Sequence, residues 1–198
     1  MAKSRHKQEQ PRYETVRTFI CIEIPDSIKS RIGKLQETLR QIDAQISWTK
    51  PSNIHLTLKF LGGVAAPRLE LVKKAVERAS KGINPIEIEV SGTGCFPSPR
   101  SPRVLWVGIA DVPEELQRLY ANLENELSQI GFEREKRKFS PHLTIGRVRT
   151  PKNASSVADS LISSSFASEQ LLAKEVIVMR SDMKPTGSIY TPQGIVPL

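Results

Sequence analysis

At 198 residues the chain is long enough for one sizeable core, as a single domain or two small packed lobes, and its 38% hydrophobic and 25% charged residues exclude wholesale disorder. No apolar run approaches the ~20 residues that cross a bilayer, Met1 to Gln10 lacks the apolar centre of a secretory signal, and two cysteines, Cys21 and Cys95, are too few for a disulfide framework, so no membrane partner and a cytoplasmic location are expected. The net charge of +8 favours an anionic partner and is unevenly spread: Lys3, Arg5, Lys7, Arg12 and Arg17 load the N-terminus, and Arg134, Lys136, Arg137, Lys138, Arg147 and Arg149 surround a later histidine.

Residues 1–14 are polar and unpatterned, and are expected to form a flexible basic arm ahead of a single bilobal domain over 15–198. From Val16 the run Thr18 to Ile24 is β-branched and apolar, a strand stopped by Pro25. Asp26 or Ser27 can cap a helix whose residues Ile28, Ile32, Leu35, Leu39 and Ile42 share one face. A short strand with Ile46 and Trp48 follows, and Pro51-Ser52-Asn53 makes a turn. The next strand, Ile54 to Leu61, carries His-Leu-Thr-Leu at 55–58 and is expected to end at Gly62-Gly63.

A second helix is predicted from Pro67 through Leu69, Val72, Val76 and Ala79 to Gly82. Ile86, Ile88 and Val90 alternate with glutamates as a strand, and the Gly-, Pro- and Ser-rich segment from Ser91 to Pro102 reads as a loop. The pattern then restarts. Val104 to Ile109 is a strand, Pro113 opens a helix bearing Leu116, Leu119, Leu123, Leu127 and Ile130, and Phe139 to Val148 is a strand carrying His142-Leu143-Thr144-Ile145. A Ser-rich helix from Ala154 to Phe166, a strand from Leu172 to Met179, and a last irregular or edge strand around Tyr190 complete the chain.

A shift of 87 residues (142 − 55) places His55 on His142 and Phe19 on Trp106, and aligns strand, helix, histidine strand and helix at once. It predicts an α+β fold of two similar lobes related by a pseudo-twofold, with antiparallel sheets facing a central cleft and helices outside. A single His-x-Thr on a half-buried strand is ordinarily structural. Two of the chain's three histidines in matching His-x-Thr segments point instead to chemistry. On a strand His55 stands beside Thr57 and His142 beside Thr144. Across a cleft, one neutral imidazole can take a proton from an attacking group while a protonated one gives a proton to the leaving group. Phosphodiester cleavage needs both transfers, and the hydroxyls can hold phosphate oxygens. The chain has no H-E-x-x-H or clustered cysteines for zinc, no G-x-S-x-G elbow and no G-x-x-x-x-G-K loop, so no metal, cofactor or ATP is expected.

With Asn53-Ile54-His55-Leu56-Thr57-Leu58-Lys59-Phe60-Leu61-Gly62 around the first motif and Phe139-Ser140-Pro141-His142-Leu143-Thr144-Ile145-Gly146-Arg147 around the second, the chain resembles the two-histidine phosphoesterase superfamily. Within it the chain is most similar to the RNA 2′,3′-cyclic phosphodiesterases, also called the 2′-5′ RNA ligase family. The resemblance spans about Val16 to Tyr190, with Ser181-Asp182 where the family usually has Ser-Glu. It implies metal-independent hydrolysis of an RNA 2′,3′-cyclic phosphate end to a 2′-phosphomonoester, with His55 as proton donor to the leaving 3′ oxygen and His142 as proton acceptor from water. Thr57 and Thr144 would hold phosphate oxygens, and Arg147 matches a position used near the phosphate. Strict alternation would put Arg147 on the wrong face of its strand, so that role requires a bulge, which Gly146 permits. Phe19 is a candidate for stacking on a terminal base, against a role in the core. Three other readings stand beside this one: a non-catalytic RNA- or nucleotide-binding module, the same chemistry on 2′-5′ oligonucleotides or small cyclic nucleotides, and reversible 2′-5′ RNA ligation. The expected partner is an RNA or oligonucleotide end, met by a monomer.

Overall fold

A computed structural model describes residues 13–164, 166–185 and 187–198. The basic arm predicted over 1–14, apart from Tyr13 and Glu14, lies outside the described residues, as does the third histidine, His6.

The elements run in chain order as β1 (Thr15–Glu23), α1 (Asp26–Leu39), β2 (Ile46–Trp48), β3 (His55–Ala65), α2 (Leu69–Ser80), β4 (Ile86–Phe96), β5 (Val104–Ala110), α3 (Glu114–Gln129), β6 (His142–Val148), α4 (Ala154–Ser163), β7 (Glu169–Ala173), β8 (Glu175–Lys184) and β9 (Gly187–Pro197). They form two antiparallel sheets, ordered β3-β1-β8-β9 and β2-β6-β5-β4-β7. The 87-residue shift maps β1 onto β5, β3 onto β6 and β4 onto β8, so the two sheets repeat one layout. The halves of the chain nevertheless exchange parts: β4 joins the second sheet and β8 the first. Helices follow suit, because α2 packs on β8 and β9 with α3 beside it, while α4 packs on β4 with α1 beside it. Neither lobe is therefore a contiguous half of the sequence.

Alternation along the strands explains how each sheet divides core from cleft. Ile20, Ile22, Leu56 and Leu58 of the first sheet and Leu105, Val107, Leu143 and Ile145 of the second are buried in one continuous core with the apolar faces of the helices. Opposite faces carry Phe19, Cys21, Ile177 and Met179 as a separate small cluster with Tyr190 packed against it. Two polar side chains stitch helices to histidine strands. Buried Lys59 of β3 donates to Glu124 of α3 at 2.6 Å and to the Glu133 carbonyl at 2.8 Å. Buried Gln36 of α1 donates to the carbonyls of Thr49 and Ile145, each at 2.8 Å.

Several sequence expectations are corrected. Gly62-Gly63 do not end β3, which continues to Ala65; Gly62 takes φ +69° where the pairing with β1 slips by one residue, so the glycine serves a bulge instead of a stop. The segment from Ser91 is strand as far as Phe96, because Gly94 makes room for a neighbour: a Cβ there would lie 2.3 Å from the Trp106 ring. The strand foreseen over Leu172 to Met179 is two strands in different sheets, divided at Lys174. Two consecutive exposed residues, Lys174 and Glu175, mark the break. Pro141 delays β6 until His142, leaving Phe139 outside to stack on Tyr120 at 4.0 Å. The second helix begins at Leu69 after one 3-10 turn, α4 stops at Ser163, and neither Asp26 nor Ser27 caps α1, whose cap is Pro25. No helix among the described residues is long and apolar enough to cross a membrane.

Candidate active site

Each histidine opens its strand and is held the same way. The His55 Nδ1–H donates to the Asn53 carbonyl at 2.8 Å, and the His142 Nδ1–H donates to the Ser140 carbonyl at 2.7 Å. A carbonyl can only accept, so these bonds fix the proton on Nδ1 in the neutral ring and leave each Nε2 as the exchangeable site. Asn53 is itself anchored, its side-chain amide donating to the Ser188 carbonyl of β9 at 2.8 Å.

Aromatic rings buttress both imidazoles in matching fashion. Phe19 of β1 stacks on His55 with centroids 4.6 Å apart, and Tyr190 of β9 meets the same ring edge-on at 5.3 Å. Phe96 of β4 meets His142 edge-on at 5.1 Å, and Trp106 of β5 lies 6.4 Å away. Burial among these rings pushes both imidazoles below the usual histidine range. The surrounding charges differ. At His55 the Asn53 carbonyl and the Glu23 carboxylate, its neighbour across the β1–β3 pairing, pull upward, while Lys29 pushes further down. At His142 the Ser140 carbonyl pulls upward and the Arg147 guanidinium adds to the lowering.

Thr57 and Thr144 are half-buried on the same faces as their histidines. Arg147 reaches that face through an irregularity in β6. Trp106 pairs with Thr144 and Leu105 with Gly146, so Ile145 is an extra residue and the alternation resets before Arg147, which pairs with Val104. The extra residue is Ile145 and not Gly146, whose missing side chain instead admits Ile46 and Trp48. Because β2 pairs only with 146–148, the His142–Thr144 half of β6 is left open on that side and adjoins β3. The two histidine strands, β3 and β6, are thus in contact where the sheets adjoin.

Phe19 faces the cleft but is only 3% exposed, covered by His55, Phe60 and Tyr190. It packs on an imidazole, in keeping with the role in the core weighed beside base stacking. Cys21, beneath Thr57, is fully buried with its thiol pushed far up by desolvation and is no nucleophile. A cavity of about 700 Å³ between the end of α2 and the C-terminus, lined by Lys74, Arg78 and Lys81, shares no residue with the histidine faces.

The sequence model of the LigT-like phosphoesterases matches residues 22–106 and again 107–190, one repeat for each histidine. The chain belongs to this family. It is 36% identical over 182 residues to the RNA 2′,3′-cyclic phosphodiesterase of Methanothermobacter thermautotrophicus, covering 91% of this chain and 97% of that one. It is 34% identical over 179 residues to the enzyme of the same name from Archaeoglobus fulgidus, covering 90% and 94%. In fold it matches E. coli LigT complexed with 3′-AMP at 23% identity and TM-score 0.75, covering 93% and 99% of the two chains.

Reading the sequence missed Tyr190, Phe96, Asn53 and Glu23 as neighbours of the site. Trp106 was signalled by its alignment with Phe19 under the 87-residue shift. Tyr190, Phe96 and Glu23 carry no local pattern, because other strands bring them in, and Asn53, two residues before His55, acts through a backbone carbonyl that leaves no side-chain signal.

Proposed function

We propose that the protein hydrolyses the 2′,3′-cyclic phosphate at an RNA end to a 2′-phosphomonoester, with His55 and His142 dividing the proton transfers. The observation that carries this reading is the matched pair of imidazoles, each with Nδ1 held by the carbonyl two residues before it and Nε2 left for the substrate. Homologues named for this activity, at up to 36% identity over nearly their whole length, support the substrate class.

In this mechanism the His142 Nε2 takes a proton from water, the water oxygen bonds to phosphorus, and the bond from phosphorus to the 3′ oxygen breaks. His55 delivers its Nε2 proton to that leaving oxygen. Negative charge gathers on the non-bridging oxygens, where the Thr57 and Thr144 hydroxyls and Arg147 donate. The local charges favour this division of labour. Glu23 beside His55 stabilises an imidazolium, as an acid requires, and Arg147 beside His142 stabilises the neutral ring, as a base requires. These groups meet every proton demand of the reaction, so activity is expected to be independent of metal. With a 5′-hydroxyl in place of water as the attacking group, the same groups would join it to the 2′,3′-cyclic end, which is 2′-5′ ligation without ATP.

The test is multiple turnover of an oligonucleotide ending in a 2′,3′-cyclic phosphate in the presence of EDTA. Turnover there supports the reading. Stoichiometric binding without product would replace it with a non-catalytic RNA-binding module.

A further inference from the structure

The stretch of chain that leads into the second histidine strand breaks the pseudo-twofold. Shifted by 87 residues, β2 falls on 133–135, and its partners 146–148 of β6 fall on 59–61 of β3. Residues 133–135 form no strand, yet they are tethered to that same stretch of β3, because the Lys59 Nζ donates to the Glu133 carbonyl at 2.8 Å. The connection from α3 to β6 thus runs from beside β3 to the Ser140 carbonyl that holds His142.

This connection is fixed along its length. The Glu135 N–H donates to Glu124 at 2.8 Å, the Arg134 guanidinium donates to the Asn125 side chain of α3 at 2.6 Å, and Phe139 stacks on Tyr120. The Glu135 carboxylate accepts the backbone N–H groups of Lys136 and Arg137 at 3.0 and 3.3 Å, so its charge is engaged inside the turn. Lys136, Arg137 and Lys138 follow one another and are all exposed, where a strand would turn every second one to the other face. None of the three makes an ion pair among the described residues, and 133–138 carries a net charge of +2 with Glu133 and Glu135 counted.

The donors to the reacting phosphate are Thr57, Thr144 and Arg147 in the reading above, which leaves a second group of cations on the approach to His142. An RNA whose 3′ end is the cyclic phosphate has chain only on its 5′ side, so every other phosphate it can offer lies upstream. We propose that Lys136, Arg137 and Lys138 form a track for the backbone phosphates of the RNA nucleotides on the 5′ side of the cyclic end. This rests on the hydrolase reading and adds to it the part of the substrate that is held outside the reacting centre. Anchoring the turn before RNA arrives reduces the ordering that binding must supply. Contacts of this kind follow the backbone and not the bases, so the track favours an oligonucleotide end over a mononucleoside cyclic phosphate whatever its sequence.

The experiment compares a mononucleoside 2′,3′-cyclic phosphate, which has no upstream phosphate, with a short oligonucleotide ending in the same cyclic nucleotide. Three proteins are used: the wild-type chain, the triple variant Lys136→Gln/Arg137→Gln/Lys138→Gln, and a control, Lys34→Gln/Lys74→Gln/Lys81→Gln, which removes the same charge from exposed positions around the helices. Each single-strand phosphate contact contributes ~0.7 to the slope of log affinity against log salt, so the triple variant is expected to lose about 2 from that slope on the oligonucleotide and to raise its KM about tenfold or more near 0.1 M salt. Its kcat/KM on the mononucleoside should stay within a factor of two of the wild type, and the control should keep the wild-type slope. Equal losses on both substrates, an unmoved slope, or the same loss in the control would each overturn the track. If the wild-type chain turns over neither substrate, the hydrolase reading fails, and fluorescence anisotropy of an end-labelled single-stranded RNA across a salt series decides the track separately. A shallower slope for the triple variant than for the control would sustain it, and equal slopes would end it.

Discussion

Arg147 shares the cleft face of β6 with His142, five residues before it, because Ile145 takes an extra place opposite β5 and resets the alternation. The guanidinium consequently bears on the imidazole and lowers its pKa. One irregularity couples two groups that regular strand geometry would separate.

Replacing Arg147 by Ala removes that lowering. If His142 must be neutral to accept a proton, activity disappears as pH falls through its pKa, and a higher pKa moves this acid limb to higher pH. The kcat/KM profile of Arg147→Ala is expected to lose its acid-side activity first, with a drop at the optimum on the order of 10²-fold, as for loss of one transition-state donor. An unmoved acid limb would detach Arg147 from His142.

Glu23→Gln acts on the opposite limb. His55 must be protonated to donate, so activity disappears as pH rises through its pKa. The Glu23 carboxylate holds that pKa up, and its loss moves the alkaline limb to lower pH. Since burial lowers both histidines, the wild-type kcat/KM optimum is expected on the acid side of ~6.5, the ordinary histidine value. A pH titration of kcat/KM for the three proteins checks both statements.

Much of this arrangement was legible in the sequence, for physical reasons. The His-x-Thr repeat, the amphipathic helices and the order of elements are local patterns, and strand alternation alone put His55 beside Thr57 and His142 beside Thr144. What escaped was non-local. The bulge at Ile145 arises from how strands pair, so the face of Arg147 does not follow from counting residues. Gly94 reads as loop because a glycine that clears space for Trp106 looks, in sequence, like one that makes a turn. The exchange of β4 and β8 between lobes leaves no trace in hydrophobicity at all.

The Lys59–Glu124 pair fixes the first histidine strand to α3 and is buried on both sides. Lys59→Met leaves Glu124 without its cation and is expected to cost ~3–5 kcal/mol, whereas Lys59→Met with Glu124→Leu should recover most of that loss. Denaturant midpoints of the single and double variants measure it. A neutral single variant would show that the pair contributes nothing to holding β3.

Gln36 secures the β6 bulge by donating to the Ile145 carbonyl. Gln36→Leu takes the side-chain donor from the Thr49 carbonyl and one of two donors from the Ile145 carbonyl, which keeps the Thr49 N–H, and is expected to cost ~1–3 kcal/mol. It is also expected to shift the acid limb of the pH profile toward that of Arg147→Ala, which a purely structural loss would not do. Denaturation and pH titration together separate the two effects.

The central claim is that two histidines, without metal, open a cyclic phosphate in one direction. Its most direct test is phosphorus NMR of the product formed from an oligonucleotide 2′,3′-cyclic phosphate in EDTA, by the wild-type chain and by His55→Ala and His142→Ala, each checked for an intact fold by circular dichroism. The account predicts a 2′-phosphomonoester from the wild type and turnover lower by a factor of order 100 or more in each variant. A 3′-phosphomonoester, or folded variants that work as well as the wild type, would contradict it.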